Sequence, residues 1–122
     1  MMTKSLEDYV EMIYVLIRDR GVAHVRDVAS ELDVKMPSVV KAISELKKLG
    51  YVTQEPYSDI VLTPSGEKVA QEILDRHVVL QKFLEALGVE KSIADKDACR
   101  MEHILSVETM ACIRKFLQNT EK

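Results

Sequence analysis

Long apolar runs, export signals and enzyme signatures are all missing from this sequence. No apolar run approaches the roughly 18 residues of a membrane-spanning helix. The opening MMTKSLEDY turns polar at once, so no signal peptide is expected. The two cysteines, Cys99 and Cys112, form no CxxC pair and no disulfide framework. A reducing cytoplasm and no membrane partner are therefore the expectation. There is no HExxH, no phosphate-cradling glycine loop and no nucleophile constellation, which argues against an enzyme. Repeats and low-complexity segments are absent as well.

What is present is a globular balance: 122 residues, 47 % apolar and 30 % charged. That length suits one compact domain or two small ones sharing a core. The formal net charge of −3 weighs mildly against nucleic-acid binding, but the average hides a local excess. From Lys35 to Lys48, Lys35, Lys41, Lys47 and Lys48 stand against Glu45 alone, a local +3 over fourteen residues. A basic stripe of this kind is the electrostatic footprint that matters for DNA.

Helical periodicity begins near Ser5, with Leu6, Tyr9, Val10, Ile13, Tyr14 and Ile17 on one stripe. Ser5-x-x-Asp8 resembles a capping box, and Gly21 stops the helix. Val25 to Leu32 forms a short amphipathic helix, with Val25, Val28, Ala29 and Leu32 inward. After a tight connection at Asp33 and Val34, KMPSVVKAISELKKLG starts a third helix. Pro37 suits its first turn and Gly50 its C′ position. Val39, Val40, Ile43, Leu46 and Leu49 are expected to be its buried stripe. Tyr51–Gln54 and Asp59–Leu62 are β-prone runs flanking a turn, a hairpin. Thr63-Pro64 then opens a long helix, with Thr63 as N-cap. Apolar residues recur in it at Val69, Ile73, Leu80, Leu84 and Leu87, and Gly88 closes it. Ser92-x-x-Asp95 is read as the cap of the next helix. Ser106 begins the last one, with Val107, Met110, Ile113 and Leu117 on one side.

Helix, helix, turn, basic helix, hairpin is the order of a winged helix-turn-helix. The expected class is mainly α: a winged helix at 1–63, then an all-helical dimerisation domain at 64–122. The motif's second helix is expected to place Lys35, Pro37, Ser38 and Lys41 in the major groove. Lys47, Lys48 and the wing tip near Tyr57 are expected to touch phosphates. The C-terminal helices carry more apolar surface than a half of that size buries alone, so a second copy is the expected cover.

Within ACRMEHILS a thiol, a carboxylate and an imidazole fall at Cys99, Glu102 and His103, spaced i, i+3, i+4. All three ligate divalent transition ions. Three residues on one helix cannot close a coordination shell, and further donors must come from elsewhere. His77 lies in step with Ile73, Leu80 and Leu84, and Asp8 and Glu11 share one face of the first helix. Spacing alone leaves the plainer readings open: a cap partner, a solvated acid, a core histidine and a small buried thiol.

Five segments go further: LEDYVEMIY, VRDVASELDVKMPSVVKAISELKKLGYV, LTPSGEKVA, RHVVLQKFL and ACRMEHILS, the last being the most specific. With them the chain resembles the diphtheria-toxin-repressor family of metal-dependent repressors from about Ser5 to Leu117. The manganese-regulator branch, which lacks an SH3-like third domain, is the nearer one. The resemblance implies a metal site formed by Asp8, Glu11, His77, Cys99, Glu102 and His103. It also implies a homodimer on operator DNA, silencing metal-uptake genes. The implied ion is Mn2+ or Fe2+, with Zn2+ or Co2+ possible in vitro. The chain is a hybrid: Cys99 stands where the manganese branch has glutamate, and Asp8 where the iron branch has methionine. Gln81 and Asp95 replace the glutamate and histidine of the iron branch's second site. The rival reading is a winged-helix regulator that senses an organic ligand or redox state without metal.

Overall fold

The computed structural model describes residues 2–56 and 58–120. Among the described residues, six helices and one two-stranded sheet follow one another: α1 (Lys4–Arg20), α2 (Val25–Leu32), α3 (Met36–Lys48), β1 (Val52–Thr53), β2 (Val61–Leu62), α4 (Pro64–Ala86), α5 (Lys91–Met101) and α6 (Val107–Thr120). The chain divides into two compact units, Met1–Gln71 and Glu72–Lys122. Among the described residues no helix is long and apolar enough to cross a membrane.

The first unit is a winged helix-turn-helix. Its core joins Val10, Ile13 and Leu16 of α1 to Val28 of α2, Val39, Ile43 and Leu46 of α3, and Val52 and Ile60 of the wing, all buried. α1 is capped by Thr3, whose Oγ1 accepts the Leu6 N–H at 3.2 Å, so the cap falls two residues before the expected Ser5. Gly21 ends α1 in the left-handed region, as expected. Asp33 takes the same conformation after α2, and Val34 N–H bonds to Ala29 O at 3.0 Å. This pairing is a Schellman closure that usually recruits glycine. The same device recurs at Gly50 after α3, where Tyr51 N–H returns to Leu46 O. It recurs again at Gly88 after α4.

On α3 the buried stripe is Val39, Ala42, Ile43 and Leu46. Val40 and Leu49 were expected there, but they are 56 % and 48 % exposed. Ala42 holds the inward position instead, because Val39, Ala42, Ile43 and Leu46 fall at i, i+3, i+4 and i+7 on one helix face.

The wing pairs antiparallel, Val52 with Leu62 and Thr53 with Val61, and Ile60 bridges back to Ala23 before α2. Thr63 buckles it to α4. Its hydroxyl donates to Gly50 O at 2.6 Å and accepts the Gly66 N–H at 3.1 Å. Gly66 has to be glycine at this point: a Cβ there would stand 2.0 Å from Tyr51 O.

The second unit packs Leu80, Ala98, Met110, Ile113 and Leu117, with Phe83 against Phe116 edge-to-face at 5.7 Å. Ser106 caps α6 as expected, accepting the Thr109 N–H at 3.1 Å. Val107 is not in the core; it is 83 % exposed. Ser92 does not cap α5 either. The N-cap is Glu90, without a side-chain cap bond, and Ser92 Oγ donates to Glu90 Oε1.

Candidate metal centre

α4 and α5 position the centre in the second unit. α5 stops at Met101, so Glu102 and His103 lie just past its end rather than within it. Glu102 still has helical dihedrals, and its N–H bonds to Ala98 O at 2.9 Å. The helical spacing between Cys99 and Glu102 therefore survives the helix end.

His77, Cys99 and Glu102 bring one ligand atom each within 4.8 Å of one another. Two donors about 2.0–2.3 Å from one ion lie at most about 4.6 Å apart, so the grouping fits a shared divalent cation with small adjustments. Glu102 is the only buried charged residue of the described core, at 0 % exposure. Its Oε2 is 3.1 Å from His77 Nδ1, and its Oε1 is 3.2 Å from His103 Nε2. These are ion-pair distances, but the angles are not those of hydrogen bonds, and neither carboxylate oxygen has a directed hydrogen bond. A buried carboxylate held this way is costly unless a cation answers it. The nitrogen, sulfur and oxygen donor set is one that transition ions take. The residues fit a divalent metal.

The neighbouring carboxylates favour a proton on His77, which a metal would have to displace. The Glu102 carboxylate, followed by Asp95, pushes the imidazole up to about 9, against a burial effect that pulls it down. Asp95 was missed as part of the centre. Its Oδ1 lies 2.8 Å from His77 Nε2. The available signal was its spacing: Asp95 and Cys99 are i, i+4 on α5 and share a face.

Asp8 and Glu11 stand half-buried one turn apart on α1, in the first unit. Neither Cys99 nor Cys112 is in a disulfide. Of the residues expected at DNA, Lys35, Pro37, Ser38, Lys41, Lys47 and Lys48 are all exposed on or beside α3. Tyr57 lies outside the described residues.

A DNA-binding winged helix followed by a helical metal centre defines a metal-responsive transcriptional regulator, and comparison with known proteins gives the family. Residues 1–60 match the N-terminal DNA-binding domain of the iron-dependent repressors, and residues 63–122 match their metal-binding and dimerisation domain. The chain belongs to the iron-dependent repressor family; its homologues are transcriptional regulators, not enzymes. It is 38 % identical to the HTH-type transcriptional regulator MntR of Geobacillus kaustophilus over 125 residues, covering 100 % of this chain and 89 % of that one. It is 42 % identical to the transcriptional regulator MntR of Salmonella typhimurium over 113 residues, 93 % of this chain and 72 % of that one. Among solved structures, a manganese-dependent transcriptional repressor in complex with manganese superimposes with TM-score 0.85 at 25 % identity, covering 93 % of this chain. The IdeR of T. acidophilum does so with TM-score 0.80 at 26 % identity, covering 92 % of this chain. The chain spans about half the length of these two solved proteins, 52 % and 53 %.

Proposed function

We propose that the chain represses metal-uptake genes by binding operator DNA as a homodimer when loaded with Mn2+ or Fe2+. The observation that carries this is Glu102, a fully buried carboxylate without a directed hydrogen bond, grouped with the donors of His77 and Cys99. Asp8, Glu11 and His103 complete the proposed ligand set. When bound, the ion would supply positive charge that offsets these acids.

Carboxylate and imidazole suit Mn2+ and Fe2+, which the manganese-bound structural relative supports. The Cys99 thiolate softens the set. Zn2+ and Co2+ then bind tightly in vitro, following the Irving–Williams order. On the DNA side, Lys35, Pro37, Ser38 and Lys41 face the major groove, while Lys47, Lys48 and Tyr57 contact phosphates. Exposed Ile93, Ile104, Val107 and Phe116 in the second unit support dimerisation through the C-terminal helices. A two-fold dimer would read half-sites about 34 Å apart, one helical turn. The functional division is placed at 1–63 and 64–122, and the protein in the cytoplasm.

The test is calorimetric titration of Mn2+, anaerobic Fe2+ and Zn2+ into chelator-stripped protein and into Cys99→Glu. Tight Fe2+ or Zn2+ binding, with stronger Mn2+ binding in the variant, makes Cys99 a ligand. Equal Mn2+ affinity in both puts Cys99 outside the working set. No binding of any ion overturns the metal reading and favours a regulator that senses an organic ligand or redox state.

A further inference from the structure

The two ring nitrogens of His77 face two different carboxylates. Nδ1 lies 3.1 Å from Glu102 Oε2, and Nε2 lies 2.8 Å from Asp95 Oδ1. A neutral imidazole carries one N–H and one lone pair, and only the lone pair can bind a metal. An ionised carboxylate only accepts. When a metal displaces one ring proton, Asp95 as the acceptor holds the other on Nε2. The lone pair is then left on Nδ1, which faces Glu102.

We propose that Asp95 is a positioning residue that selects the Nε2–H tautomer of His77 and holds its ring so that Nδ1 serves the metal centre. The inference rests on the metal reading above. It adds a residue that is not in the ligand set. Side-chain geometry supports it in two ways. Asp95 sits one helical turn before Cys99 on α5, so one helix face supplies both the orienting carboxylate and a thiolate ligand. The Asp95 contact is the shorter of the two and satisfies hydrogen-bond geometry, whereas the Glu102 contact does not. Carboxylate partners of this kind fix the tautomer and raise the basicity of metal-bound histidines. The Asp95 side chain is 59 % exposed, so water competes for the bond and the effect belongs at the lower end of the usual range.

The experiment uses the full chain with Zn2+, a diamagnetic probe, in wild type, Asp95→Ala and Asp95→Asn. Long-range proton–nitrogen NMR reads which nitrogen of His77 carries the proton, and calorimetry gives affinity and stoichiometry. The expected wild-type state has the proton on Nε2 and zinc on Nδ1. Asp95→Ala should weaken zinc about tenfold at unchanged stoichiometry. Asp95→Asn keeps an acceptor oxygen and should recover most of that loss. A proton on Nδ1 in the zinc-loaded wild type overturns the proposal, as does unchanged affinity in Asp95→Ala. Loss of a whole equivalent of zinc in Asp95→Ala also overturns it, by making Asp95 a ligand. Failure of the wild type to bind zinc or Mn2+ is different: it removes the metal reading, and this inference falls with it.

Discussion

Glu102→Gln is the most informative single change in the metal-free protein. The carboxylate is fully buried, 3.1 Å from His77 Nδ1 and 3.2 Å from His103 Nε2. Glutamine has nearly the same shape, so no cavity opens. Two effects oppose each other. The variant no longer buries an anion, which stabilises it, but His77 loses the neighbour that does most to hold its proton. With Glu102 in place, the His77 pKa is raised to about 9 from an ordinary 6.5. The stability this contributes is fully present below about pH 6.5 and is lost as pH rises through about 9. In the variant, burial is left opposing Asp95 and the pKa drops. Glu102→Gln should therefore cost most near pH 6, and the difference should shrink by pH 10. Removing one partner of a fully buried pair costs about 3–5 kcal/mol. His77 keeps 15 % of its side-chain exposure and retains Asp95, so about 1–2 kcal/mol is expected at pH 6. Urea unfolding of chelator-stripped protein at the two pH values measures it, and NMR titration follows His77 directly. A stability difference independent of pH, or a His77 still titrating near 9 in the variant, refutes the reasoning.

Other changes test the fold and the DNA face. Gly66→Ala places a methyl 2.0 Å from Tyr51 O, so the wing must shift from α4; a loss of about 2–4 kcal/mol in urea unfolding is expected. Leu80→Ala empties a fully buried position in the second unit and should cost about 2–5 kcal/mol, read by the thermal midpoint. Lys48→Ala should weaken DNA binding similarly across sequences and reduce the slope of log affinity against log salt by about 1, measured by fluorescence anisotropy. An unchanged slope would place Lys48 away from phosphate.

Much of the fold was legible because its stops and starts are local chemistry. Gly21, Gly50 and Gly88 end helices in the left-handed region, and Thr63 and Ser106 cap helices through their hydroxyls. Inward and outward faces were less legible. An apolar stripe on a helix is about 100° wide, so residues at its margin can fall either way. Val40 and Val107 fell outside it, and Ala42, too small to stand out as a core residue, fell inside. Ser5 and Ser92 had capping sequences, but the backbone entered each helix elsewhere. The donors of α5 were readable from spacing along one helix. The approach of His77 to Asp95 joins positions 18 apart on two helices, and no periodicity encodes it.

The most direct test of the central claim is metal-dependent DNA binding. A duplex is selected from a random library by the Mn2+-loaded protein, and its affinity is then measured at fixed salt with Mn2+ and with chelator, for wild type and Glu102→Gln. The account predicts that chelator weakens wild-type binding at least tenfold and that Glu102→Gln binds weakly under both conditions. Equal wild-type affinity with Mn2+ and with chelator would contradict it.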